Sequence, residues 1–231
     1  MLKRSYEPTK HKYEICIDEA GRGCLFGDVY IACVVLPKDE NMFPGENIKD
    51  SKKFTSKKKI QEVSETIKQH ALYYHITSMD SKEIDKLNIL QAVMVGMHKC
   101  IREAISHFQS KDSSLTINDF AALIDGNYFK PYTIFDEQQD MIVPLESHTF
   151  EKGDGRFMGI AAAGILAKTG RDQYVLELCK NHEELKTRYS LHTNMGYATK
   201  IHREGIQEHG ITQWHRKSYA PCKEQDERLI L

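Results

Sequence analysis

Residues 29 to 36, VYIACVVL, form an unbroken apolar run. A run this short reads as a strand covered on both faces, and such a strand needs a sheet with helices on either side. Two more strands fall in the first third: 13 to 18 (YEICID), which alternates, and 72 to 79 (LYYHITSM), rich in Tyr, Ile and Thr. A helix is expected from Thr55 to His70, with Ile60, Val63 and Ile67 at helical spacing. A longer one runs from Asn88 to Phe108, its inward stripe being Ile89, Val93, Met97, Ile101, Ile105 and Phe108. Residues 119 to 125 (DFAALID) make a fourth strand ending on Asp125, and a fifth lies between Met141 and Phe150. From 156 to 180, RFMGIAAAGILAKTGRDQYVLELCK is small and apolar on one side and suits a helix lying very close to a sheet. The remainder is polar and helical, with turns at Gly196 and Gly210. These elements give an α/β fold with helices on both faces of the sheet. The expected organisation is a core over residues 1–180 and a helical extension over 181–231 packed on it.

Composition limits the functions open to this chain. Its 231 residues can bury one sizeable core. Lys and Arg number 32 against 33 Asp and Glu, which argues against coating nucleic acid indiscriminately but leaves room for a local basic surface. The cysteines, Cys16, Cys24, Cys33, Cys100, Cys179 and Cys222, include no C-x-x-C pair and suggest neither a zinc knuckle nor a disulfide framework. The start, MLKRSYEPTKHKY, lacks a signal-peptide core, and the longest apolar stretch, IAAAGILA, is too short to span a bilayer. A soluble, cytoplasmic protein is expected.

The chemistry gathers at element ends. Asp18 closes the first strand, Asp125 closes the fourth, and EKGD puts Asp154 at the entry to the small-residue helix. Successive strand residues face opposite ways, so Asp18 and Glu19 can serve one site only if the chain leaves the pleat between them; Gly21 and Gly23 favour that. Carboxylates this close raise one another's pKa unless a cation neutralises them, and hard oxygen ligands without His or Cys suit Mg²⁺ or Mn²⁺. Taken singly, each acid could equally cap a helix or sit in a solvated turn.

Eight blocks in order change that balance: IDEAGRGCLFG (17 to 27), DSKKFT (50 to 55), NILQA (88 to 92), IDGN (124 to 127), KGD (152 to 154), IAAAGILAKTGRD (160 to 172), GYATKIH (196 to 202) and HRKSYAP (215 to 221). Over nearly its whole length the chain resembles the ribonuclease HII family, type 2 ribonuclease H enzymes that cut RNA embedded in or joined to DNA. The resemblance implies a ribonuclease-H-like mixed five-stranded sheet flanked by helices, with a carboxy-terminal helical extension. It implies four metal-binding catalytic carboxylates, Asp18, Glu19, Asp125 and Asp154, with Asp172 as the rival for the fourth place. It also implies hydrolysis with two divalent ions, Mg²⁺ or Mn²⁺, about 3.5–4 Å apart, giving a 3′-hydroxyl and a 5′-phosphate.

Substrate residues follow from the same resemblance. Gly21, Arg22 and Gly23 grip the ribonucleotide, where bare backbone can approach the 2′-hydroxyl closely. Tyr197 stacks on the next sugar, an ordinary core aromatic being the other reading. Ser51 and Lys52 border the active site and touch phosphate, while Lys57, Lys58 and Lys59 could simply be a solvated helix start. Thr199, Lys200 and Arg216, with Arg203, His215, Lys217 and Ser218 nearby, form a second polar and basic set suited to phosphates. His202 and His215 are expected at the surface.

Departures from the family pattern are Asp28, where proline is common, and Gly159 and Gly164, where serine is common. The sister family, ribonuclease HIII, carries an amino-terminal platform domain, whereas about a dozen residues precede the first strand here. The expected partners are RNA/DNA hybrid and duplex DNA containing ribonucleotides, with no membrane, no evident protein partner and a monomeric state. The tail, KEQDERLIL, lacks the paired aromatics of a sliding-clamp peptide.

Overall fold

The computed structural model describes residues 2–136 and 140–225. In chain order the main elements are β1 (Tyr13–Ala20), β2 (Val29–Val35), α1 (Lys57–His70), β3 (Tyr73–Met79), α2 (Ser81–Leu87) and α3 (Ile89–Gln109). There follow β4 (Phe120–Asp125), β5 (Thr133–Asp136), β6 (Met141–Pro144), β7 (Glu146–Phe150) and α4 (Met158–Asn181). Short helices α5 (Glu184–Thr187) and α6 (Leu191–Asn194) lead to α7 (Lys200–His209). The chain divides into two units: one comprises the chain up to Glu19, Ile31–Thr77 and Met94–Thr169; the other comprises Ala20–Tyr30, Ser78–Val93 and the chain from Gly170 on.

The first unit is built on a mixed five-stranded sheet in the order β3-β2-β1-β4-β7. β1 lies in the middle and pairs in parallel with β4, Ile15 opposite Ala122 and Ile17 opposite Ile124. β4 pairs in parallel with β7, Asp125 opposite Phe150. The alternation in YEICID does not give one wet face: Glu14 through Asp18 are all buried, because a central strand is covered on both sides. Ser56 caps α1 by accepting from the Lys59 amide, and Ile60, Val63, Ser64 and Ile67 turn inward at helical spacing. The expected fifth strand is two strands, since β6 pairs antiparallel with β5 in a separate hairpin and only β7 joins the main sheet.

Helix α4 lies as close to the sheet as its small residues suggested. A Cβ at Gly159 would sit 2.4 Å from Cys16 Sγ, and one at Gly164 would sit 2.3 Å from Asp18 Oδ2. Residues Ile160 to Ala163 and Ile165 to Ala167 are fully buried.

The second unit has its own core of Leu25, Phe26, Val175, Cys179, Leu185, Tyr189, Leu191, Ile206 and Ile211. A boundary after residue 180 therefore misses where the packing divides, because Leu25 and Phe26 belong with this cluster and the division falls within α4. Among the described residues no helix is long and apolar enough to cross a membrane.

Candidate active site

All four acids singled out in the sequence belong to the first unit. Asp18 and Asp125 each follow the last residues paired between β1 and β4, Ile17 and Ile124, so they stand side by side just past the end of that pairing. Asp154 lies in a single 3-10 turn, Gly153–Gly155, shortly after β7. The backbone binds these side chains in place. The Gly153 amide donates to Asp125 Oδ1 at 2.7 Å, and the Glu19 amide donates to Asp18 Oδ1 at 2.7 Å. Strand β1 continues to Ala20, so the chain does not leave the strand between Asp18 and Glu19; the Asp18 carboxylate bends back onto the next amide instead.

Burial and charge repulsion both oppose ionisation of these groups. Asp18 is only 8% exposed, and burial pushes its carboxyl well above the usual range, with Glu19, Asp125 and Asp154 adding to the shift. Asp154 is also raised, by burial first and then by Asp125 and Asp50, while Lys52 opposes the shift. Asp50 was not anticipated; it lies within side-chain hydrogen-bonding reach of Asp154 and caps the 3-10 turn Ser51–Lys53 by accepting from the Lys52 amide. Its only signal in the sequence is its place in DSKKFT. Ser51 is partly buried and Lys52 exposed on that turn. The four carboxylates supply oxygen donors alone, the set that suits Mg²⁺ or Mn²⁺. Among the described residues, the set of three with ligand atoms mutually within 4.8 Å is a different one, Glu7, His11 and Glu146.

The other expected residues belong to the second unit. Gly21 has φ +91°, and a Cβ there would sit 2.0 Å from Arg171 Nε, so both conformation and space require glycine. Gly23 has open space around it, and Arg22 is exposed. Two buried arginines brace this loop. Arg171 donates to the carbonyls of Phe26, Asp28 and Met195, and Arg216 donates to those of Gly27 and Arg22. Arg216 is 0% exposed and so holds the loop from within, not from a solvent-facing position.

Tyr197 is 46% exposed, which sets aside the core-aromatic reading, and its ring centroid lies 5.9 Å from the Arg171 guanidinium carbon. Thr199 caps α7 and Lys200 opens it, both exposed. The surface reading of His202 and His215 is wrong: both are buried, with their Nε2 atoms 3.1 Å apart. The Tyr197 carbonyl accepts from His202 Nδ1, and the Thr212 amide donates to His215 Nδ1, so His215 donates to His202 through Nε2. Asp172 lies in the second unit, apart from the four carboxylates in the division of the chain. Asp28 accepts from Ser78 and Tyr174 hydroxyls.

Comparison with known proteins follows the same outline. The family model described as Ribonuclease HII matches residues 15–222. A Parabacteroides distasonis protein named Ribonuclease HII is 39% identical, over 93% of this chain and 93% of its own length. A solved Archaeoglobus fulgidus structure, described as a PCNA:RNase HII complex, superposes with TM-score 0.63 at 22% identity, covering 90% of this chain and 95% of that one. A structure described as Bst-RNase HIII in complex with Mn²⁺ gives TM-score 0.61 at 16% identity, over 94% of this chain and 70% of that one. At such identities the structural likeness speaks for the ribonuclease-H-like fold.

Proposed function

The chain belongs to the ribonuclease HII family and is a type 2 ribonuclease H, and from that premise we propose how it acts and on what. It hydrolyses the RNA strand of RNA/DNA hybrids and incises duplex DNA on the 5′ side of embedded ribonucleotides, leaving 3′-hydroxyl and 5′-phosphate ends. The observation that carries this reading is Asp18: a nearly buried acid whose charged form is opposed by Glu19, Asp125 and Asp154 together. Such a group favours either a proton or a divalent cation, and an all-oxygen set fits Mg²⁺ or Mn²⁺. Asp18, Glu19, Asp125 and Asp154 are the residues that would hold it. When bound, divalent ions supply Lewis-acid stabilisation of phosphoryl and leaving oxygens.

The chain's own contribution is to hold the donors. The amides of Glu19 and Gly153 fix one oxygen each of Asp18 and Asp125, and Gly164 leaves room for the other Asp18 oxygen. Lys52 gives the neighbourhood of Asp154 a mobile positive charge, which we assign with Ser51 to phosphate contact. In the second unit we assign reading of the 2′-hydroxyl to Gly21, Arg22 and Gly23, sugar stacking to Tyr197, and phosphate contact to Thr199 and Lys200. The role of Arg216 is to hold the carbonyls of Arg22 and Gly27 in place.

For assembly we propose a monomer in the cytoplasm, the six cysteines being free and buried. The Archaeoglobus protein is described with PCNA; residues 226–231 of this chain lie outside the described residues. The test is to map the cut on duplex DNA holding one ribonucleotide, with Asp125→Asn as control. Cleavage immediately 5′ of that ribonucleotide, lost in the control, is expected; cleavage elsewhere, or none, contradicts the reading.

A further inference from the structure

A second cluster of ligating side chains stands away from the catalytic carboxylates. His11 precedes β1 and Glu146 opens β7, whereas Asp18 and Asp125 lie just past the far end of the β1–β4 pairing. Four residue steps along β7, from Glu146 to the Phe150 that lies opposite Asp125, separate the two levels, roughly 13 Å at a strand's rise. Here one atom each of Glu7, His11 and Glu146 lies within 4.8 Å of the other two.

The histidine distinguishes this cluster from an ordinary surface ion-pair network. His11 is 6% exposed, and its Nδ1 lies 3.1 Å from the Asn118 carbonyl, which can only accept. Nδ1 therefore donates to that carbonyl, and Nε2 points into the cluster. Nε2 is buried, has no hydrogen-bond partner, and lies 3.3 Å from Glu146 Oε2. Glu7 Oε2 is buried without a hydrogen-bond partner as well. A ring nitrogen and carboxylate oxygens facing one another at this distance need a positive charge between them, either a second proton on the ring or a bound cation. A backbone carbonyl holding the far nitrogen is the arrangement that orients metal-ligating imidazoles.

The surroundings keep the ligands in place. The buried Glu14 carboxylate accepts from Ser5 Oγ at 2.7 Å and from the amides of Tyr6 and Glu7, which fixes the backbone that bears Glu7. Lys38 donates to the carbonyls of Pro8 and His11 and closes the turn between Glu7 and His11. Glu146 Oε1 accepts from Lys10 Nζ at 2.6 Å and lies 2.9 Å from His148 Nε2. The Lys10 ammonium lies 2.6 Å from Glu146 Oε1 and 3.4 Å from Glu7 Oε2, on a side chain half exposed and free to swing out.

We propose that Glu7, His11 and Glu146 form a structural site for a divalent transition-metal ion, with Lys10 as the cation it displaces. One imidazole and two carboxylates suit Zn²⁺ and its neighbours better than Mg²⁺. The ion ties the segment ahead of β1 to the first residue of β7.

The test titrates Zn²⁺ calorimetrically into the full-length protein and into His11→Asn, Glu7→Gln and Lys10→Met, with thermal unfolding followed in parallel. Asparagine at 11 keeps a donor for the Asn118 carbonyl and removes the ligand. Zn²⁺ binding at least tenfold weaker in His11→Asn and Glu7→Gln, with loss of the Zn²⁺-dependent rise in Tm, is expected. Lys10→Met tightens binding several-fold, because it removes the competing charge. Equal Zn²⁺ affinity in Glu7→Gln and the unaltered protein overturns the site, whether or not His11→Asn folds.

Discussion

Gly164 is a glycine because the Asp18 carboxylate fills the space where its side chain would be. The departure from serine at this position thus has a local cause, and a branched replacement such as Gly164→Val should displace Asp18 and cost activity far more than stability. Asp18 itself sets function against stability. Its folded pKa lies above the unfolded value of about 3.9, so the folded state binds the extra proton and the group costs stability increasingly as pH rises from about 4. Asp18→Asn removes that cost while keeping an acceptor for the Glu19 amide. Without divalent ions it should raise Tm by at least about 2 °C at neutral pH, and it should abolish turnover. A lowered Tm under those conditions would mean that the carboxylate is not strained. Asp154→Asn should likewise abolish turnover while Asp172→Asn keeps most of it, as measured by single-turnover cleavage. In the sequence these acids stand out through the recognised blocks; β1 runs two residues beyond Asp18, and Asp154 sits in a 3-10 turn. Asp50 does not stand out, because an acid in a short polar turn has no periodic pattern to mark it, and Arg216 read as a phosphate contact because sequence cannot distinguish a buried arginine from an exposed one.

At the scale of elements, the longer periodic segments were legible and the short ones were not. Helices α1, α3 and α4 follow from apolar spacing, and β1, β2 and β4 from apolar runs. The β5–β6 hairpin is made of two four-residue strands, TIFD and MIVP, largely exposed and too short to show a period, so β6 reads as one strand with β7. The His202–His215 pair went unrecognised because its partners, the Tyr197 carbonyl and the Thr212 amide, are backbone groups. This pair ties the start of α7 to the turn after it and makes the second unit sensitive to acid. Burial lowers both folded pKa values below the unfolded value of about 6.5. Below that value the unfolded chain binds more protons, so the contribution is complete above about pH 6.5 and is lost as pH falls from there towards the folded pKa values. Urea midpoints measured in the Asp18→Asn background, free of that group's opposite linkage, should drop between pH 7.5 and 5.5. The expected loss is up to about 1.4 kcal/mol per histidine per pH unit, and a flat midpoint contradicts the buried neutral pair.

Taken whole, the chain has nearly balanced charge, and the lysines assigned to phosphate contact, Lys52 and Lys200, are exposed. Phosphate contacts of this kind release counterions, so kcat/KM on a hybrid duplex should fall with salt, by a log–log slope of about 0.7–0.9 for each contact. Little preference for base sequence is expected, since the assigned contacts go to sugar and phosphate. The mixed five-stranded sheet was readable in advance through the resemblance, but its strand order and the division of the chain were not, because the second unit gathers segments far apart in sequence. The measurement closest to the central claim is cleavage of the RNA strand of a labelled hybrid by Asp18→Asn, Glu19→Gln, Asp125→Asn and Asp154→Asn, across a titration of Mg²⁺ and of Mn²⁺. Each variant should keep its fold by circular dichroism and fall at least about a thousandfold in rate. A folded variant among the four that cleaves at close to the unaltered rate would show that its carboxylate does not hold the catalytic ions.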